Sequence, residues 1–151
     1  MIKRRYLLKL LFAGSSAIAY SLLFPVKVLA RWNEAAYAAE NINEALSAYY
    51  PNKQLITSNK INITVRPEIE NGAVVPIKVN TDLKNVESIA IFVEKNPNPL
   101  IANFDLSPAC KGFISTRIKM DGPSDVLVVV VSDGQPYSTS KSVMVHAGGC
   151  G

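Results

Sequence analysis

The chain has 151 residues, 48% hydrophobic and 19% charged, with 16 basic groups, 12 acidic groups, one histidine and two cysteines. That is enough for one domain with its own core, and too few histidines and cysteines for a four-ligand zinc or iron site. The formal net charge of +4 suggests a nucleic-acid partner only until its distribution along the chain is read.

Lys3-Arg4-Arg5-Tyr6-Leu7-Leu8-Lys9 is a basic start with an arginine pair, followed by an uncharged apolar run from Leu10 to Phe24 and by Val28-Leu29-Ala30, a small-residue cleavage pattern. This layout predicts a twin-arginine-type signal peptide over residues 1–30. Ala36-Tyr37-Ala38 offers a second cut site, as late as 38. The competing reading is a retained anchor, but the run is shorter than the roughly 20 apolar residues a spanning helix needs. The leader holds five basic groups (Lys3, Arg4, Arg5, Lys9, Lys27) and no acid. Taking those five from the 16 leaves 11 against 12 acids, a net charge of −1. The case for nucleic acid goes with the leader.

Residues 31–57 read as an N-terminal helical segment. Ile42, Ala45, Leu46 and Tyr49 fall at helical spacing, so a helix is expected over Ala39 to Tyr50, ended by Pro51 and Asn52 and lying against the domain or a partner. Residues 58–146 then change to period two. Ile61, Ile63 and Val65 alternate with polar residues, as do Val75, Ile77 and Val79 after the Asn71-Gly72 turn. Ile89, Ile91 and Val93 form a third strand, ended by Asn96-Pro97-Asn98-Pro99, and Leu100 to Leu106 forms a weaker one. Phe113 to Met120 places Ile114, Thr116 and Ile118 on one face. Val126 to Val131 is a continuous apolar run suited to a central strand, and Ser138 to His146 is the last strand, after the Asp133-Gly134 turn. About seven short strands separated by turns, with no helices between them, predict an all-β, immunoglobulin-like antiparallel β-sandwich with a short N-terminal helix.

Residues 147–151 form the end of the chain. Gly148, Gly149 and Gly151 bracket Cys150 and give it little to pack against, so the sequence reads as a flexible arm carrying a thiol. Cys150 lies five positions beyond Val145, a reach of ~17 Å when extended. His146 as a base for the thiol is the weaker reading, because a glycine pair cannot hold a fixed base–thiol geometry. Asp121, Asp125 and Asp133 sit at loops and read as solvated turn residues rather than paired catalytic acids. A Cys110–Cys150 disulfide is the main alternative, making the chain an exported structural or adhesive sandwich module. A stand-alone thiol enzyme using His146 is the third reading.

The leader, short helix, sandwich and terminal cysteine together resemble the SoxY family, the sulfur-carrying subunits of the Sox thiosulfate-oxidising system. The resemblance is carried by residues 70–76 (Glu-Asn-Gly-Ala-Val-Val-Pro), residues 88–99, residues 113–120 and the terminal Gly148-Gly149-Cys150-Gly151. The family ends in one more glycine, and Cys110 lies outside its pattern. The resemblance implies a periplasmic, non-enzymatic carrier with no cofactor of its own and no bound metal. Cys150 would be the covalent sulfur attachment site and Gly148, Gly149 and Gly151 the mobile arm. It implies a heterodimer with SoxZ, transient contacts with the SoxAX cytochrome, the SoxB hydrolase and other sulfur-oxidising partners, and neither nucleic acid nor a stable membrane anchor. Both cysteines are expected to be free in the resting reduced protein.

Overall fold

Alternation of apolar and polar residues decides which side chains a strand buries. In this structure, a computed structural model describing residues 33–146, the alternating strands fall into two stacked sheets. The expected leader and the carrier arm, residues 147–151, lie outside the described residues. The smaller sheet is antiparallel, with strands β2 (Ile61–Thr64), β4 (Val75–Thr81) and β7 (Phe113–Ile118) in that order. The larger sheet contains β5 (Val86–Val93), β6 (Leu100–Asp105), β8 (Ser124–Ser132) and β9 (Gln135–Val145), antiparallel in the order β9-β8-β5-β6. These are the seven strands the spacing predicts.

Two further pieces, β1 (Ile56–Thr57) and β3 (Glu68–Ile69), pair in parallel with β9. Each is two residues long, too short for a period-two signal, and only the neighbouring strand makes it a strand. The β8–β9 hairpin turns at Asp133 (φ 50°) and Gly134 (φ 74°), both left-handed, as a tight hairpin between twisted strands requires.

The predicted central strand is confirmed, and its unbroken apolar run has a geometric cause. Val126, Val128 and Val130 of β8 and Ile89, Ile91 and Val93 of β5 point into the core between the sheets, against Ile77 and Val79 of β4. The alternate residues, Val129, Val131, Ala90 and Phe92, point the other way into a second cluster with Ala36, Ala45 and Tyr50. Both faces of these strands are buried, so neither face is polar. The second cluster is roofed by helices α1 (Glu34–Ala38) and α2 (Ile42–Tyr49).

The expected helix over 39–50 begins later, at Ile42. The Asn41 side chain accepts from the Glu44 N–H at 3.0 Å and caps it, while Ala39 is extended. The separate turn α1 is capped in the same way by Asn33, whose Oδ1 accepts from the Ala36 N–H at 3.1 Å. Asn33 Nδ2 also donates to the Ala48 carbonyl at 2.9 Å, joining the two helices. The helical segment therefore packs on its own domain.

Candidate functional site

The residues that lead into the expected arm are the last ones of β9. Val143 and Val145 are buried in the core, which commits this end of the strand to the sandwich. Strand β3 clamps it from the outer edge: the Met144 N–H donates to the Pro67 carbonyl at 2.7 Å and the His146 N–H to the Ile69 carbonyl at 2.9 Å. The backbone is thus fixed through His146, and the expected arm starts one residue later.

The Asn71-Gly72 turn backs this root. Asn71 Oδ1 accepts from the Ala73 N–H at 2.9 Å, and the Gly72 carbonyl accepts from the Met120 N–H at 2.8 Å. A Cβ on Gly72 would lie 2.1 Å from the Met120 carbonyl oxygen and 2.9 Å from Val145 Cγ1. Glycine is needed here for close approach, not for an unusual φ.

Asn96 ties the neighbouring loops together. Its Nδ2 donates to the Lys119 carbonyl at 2.9 Å and its Oδ1 accepts from the Asp121 N–H at 3.0 Å, with the residue itself buried. The sequence marks Asn96-Pro97-Asn98-Pro99 only as the end of a strand, because both bonds reach partners more than 20 positions away. Asn96→Ala is expected to cost ~1–3 kcal/mol by leaving buried backbone groups unpaired. Chemical denaturation would show this as a lower midpoint at unchanged slope.

A groove of about 450 Å³ lies beside the root, lined by Glu68 and Met144 on one side and Glu94, Lys95 and Asp125 on the other. The loop carboxylates have structural partners: Asp121 pairs with Lys119 at 3.1 Å, Asp125 accepts from the Ser142 hydroxyl, and Asp133 accepts from Asn85 Nδ2 at 2.8 Å. No group of histidine, cysteine and carboxylate side chains that could hold a metal ion is present among the described residues. His146 is exposed at the root, and Cys150, Gly148, Gly149 and Gly151 fall outside the described residues.

Cys110 is exposed and free. Its N–H donates to the Ser107 carbonyl at 2.9 Å and its Sγ lies 3.3 Å from Ser107 Oγ. The Ser107 hydroxyl, and after it the Ser107 backbone bond, hold the thiol below its ordinary pKa. It lines a separate cavity of about 640 Å³ with Asn85, Val86 and Gly112.

That placement corrects the disulfide reading. Val86 pairs with Ser132, at one end of β8, whereas Val143 pairs with Ser124, at the other. The length of β8 separates these ends by ~27 Å. The residues from Val145 to Cys150 span at most ~18 Å, and bridged cysteines need Cα atoms within ~7 Å. A Cys110–Cys150 staple is out of reach in the folded chain. Reducing agent is therefore expected to leave the melting temperature of the monomer unchanged, where loss of a native disulfide would cost ~2–5 kcal/mol. Calorimetry with and without dithiothreitol checks this.

The family model of sulfur oxidation protein SoxY matches residues 46–150, through the terminal cysteine. The chain belongs to the SoxY family. Among solved structures, this SoxY-family chain is similar to the sulfur carrier protein SoxY from Chlorobium limicola f thiosulfatophilum. The two share 32% identity with a TM-score of 0.65, over 76% of this chain and 99% of the other. A structure from work on the bacterial superantigen toxic shock syndrome toxin-1 matches 56% of this chain and 98% of that one. At 10% identity and a TM-score of 0.41 it carries no argument. No curated protein matches. The SoxY match takes in the clamped strand end, the Asn71-Gly72 turn, Asn96 and Cys150, and starts within α2.

Proposed function

We propose that this chain is the periplasmic sulfur carrier of a thiosulfate-oxidising system, with Cys150 as the covalent attachment site and Gly148, Gly149 and Gly151 as its arm. The observation that carries this reading is the family match running through Cys150, joined to a strand end held rigid as far as His146. A fixed root and a glycine-rich tip let one sulfur atom enter several clefts while the domain stays outside them.

In the proposed cycle the Cys150 thiol and thiosulfate lose two electrons to a haem cytochrome, SoxAX, and one proton to solvent, forming a new S–S bond and a cysteine S-thiosulfonate. Hydrolysis by SoxB breaks the bond between the outer sulfur and the sulfonate. Water supplies the fourth oxygen of sulfate, and a persulfide stays on Cys150. Further partners oxidise or remove that sulfur, so catalysis belongs to the partners and the chain holds the intermediates. SoxZ is the proposed heterodimer partner. Export is proposed by the twin-arginine route with the cut at Ala30. Fully buried Ala36 supports this site, because a cut at 38 would remove part of the helix–sheet cluster.

The test is intact-protein mass spectrometry of the exported chain with and without thiosulfate and its partners, followed by mapping of the C-terminal peptide. The expected result is a thiosulfate-dependent gain of about 112 Da on Cys150, a sulfur addition on the cysteine oxidation ladder. No adduct under any condition would sink the reading.

A further inference from the structure

Charge is segregated between the two outer layers of the domain. The helical layer, residues 33–52, carries Glu34, Glu40 and Glu44 and no lysine or arginine. The outward positions of the three-stranded sheet carry no acid. They are Asn62 and Thr64 on β2, Pro76, Lys78 and Asn80 on β4, and Phe113, Ser115 and Arg117 on β7, all exposed.

The register gathers the cations. Arg117 lies opposite Pro76, and Lys78 lies opposite both Ser115 and Thr64. Lys78 and Arg117 are therefore diagonal neighbours, ~7–8 Å apart along the backbone. Arg66 follows Thr64 by two residues and lines one groove of about 550 Å³ with Pro76, Lys78 and Ser115. A second, of about 590 Å³, continues over Lys78, Ser115 and Arg117. Three cations surround Pro76, and none of them has an ion-pair or hydrogen-bond partner among the described residues. Glu68 and Glu70 share an adjoining groove with Arg66 without pairing with it.

This face begins beside the root of the arm. Gly72 packs on Val145, and Pro76 follows Gly72 by four residues, at most ~14 Å of chain. Cys150 can travel ~17 Å from Val145.

We propose that the cationic face around Pro76, built from Arg66, Lys78 and Arg117, binds the anionic sulfur–oxygen group carried on Cys150 between visits to partner enzymes. The proposal rests on the carrier reading above and adds a resting site for the loaded arm. A tether makes the encounter intramolecular, at an effective concentration in the millimolar range for a short flexible link, so even weak exposed charge pairs populate the contact. The empty arm lacks the added charge of the sulfonate. Loading therefore sets where the arm rests, and partners meet a loaded carrier that differs in shape from an empty one.

The test uses the exported chain with Cys110→Ser, leaving Cys150 as the reactive thiol. Sulfonatoethyl methanethiosulfonate or its neutral hydroxyethyl counterpart is attached; in each case the thiolate displaces methanesulfinate and forms a mixed disulfide. Amide NMR is then recorded. The sulfonate adduct is expected to move the amide resonances of residues 66, 77, 78 and 115–117, and the hydroxyethyl adduct to leave them in place. The shifts are expected to shrink roughly threefold between about 20 mM and about 0.5 M salt. They should vanish in the Lys78→Gln, Arg117→Gln double variant, whose side chains are on the surface. Equal shifts with both adducts, or shifts confined to residues 143–151, would overturn the proposal. Because the adduct is attached chemically, this outcome is independent of whether thiosulfate loads Cys150, which the mass measurement decides separately.

Discussion

Cys150→Ser is expected to abolish thiosulfate-dependent turnover by the reconstituted system while leaving the melting temperature of the chain unchanged. The two halves of this result have separate causes. In the proposed cycle turnover depends on a sulfur–sulfur bond that a serine hydroxyl cannot form, and the only other thiol, Cys110, sits at the end of the sandwich opposite the end of β9, beside Asn85 and Val86. Stability depends on the two buried clusters, which are built from residues 36–145. Thiosulfate consumption with the purified partners measures the first half and a thermal melt the second. Full turnover by the serine variant would remove Cys150 from the mechanism. Cys110→Ser gives the control: turnover is expected to continue, because the proposed cycle places the cargo on Cys150.

The largest expected effect on stability is at Phe92. This side chain is fully buried on the helix-facing side of the larger sheet, among Ala36, Ala45, Tyr50 and Val129. Small residues surround it, Ala90 on its own strand and Ala36 and Ala45 on the helices, so the aromatic ring fills the space that brings α1 and α2 onto the sheet. Phe92→Ala leaves a cavity that the alanines cannot fill. The expected cost is ~3–5 kcal/mol, equivalent to a fall in melting temperature of roughly 12–20 °C for a domain near this size. A loss below about 1 kcal/mol would mean that the helices do not depend on this contact. Urea unfolding followed by far-ultraviolet circular dichroism measures the stability and the helical signal together.

These two positions differ in how far the sequence reveals them. Cys150 is conspicuous from the sequence alone, since the glycines on both sides give a thiol no neighbouring side chain to pack against. Phe92 is visible as an apolar residue in a strand, yet its period places it opposite Ile91 and Val93, on the face a lone sandwich would turn to solvent. The buried second face becomes plain only when α2 is seen lying across it.

The sequence by itself determined the seven long strands and the turns at Asn71-Gly72 and Asp133-Gly134, and it set the export signal and the thiol-bearing arm as expectations. All of these are written in neighbouring residues: period-two alternation, turn-forming pairs and a charged-then-apolar leader are local patterns. Only the tertiary structure decided the rest. The β3 clamp on Met144 and His146, the hydrogen bonds from Asn96 to Lys119 and Asp121, the separation of the two cysteines and the gathering of Arg66, Lys78 and Arg117 around Pro76 all join residues far apart in the chain. Such relations follow from strand order and register, which the burial of apolar faces fixes for the domain as a whole and no short stretch of sequence encodes.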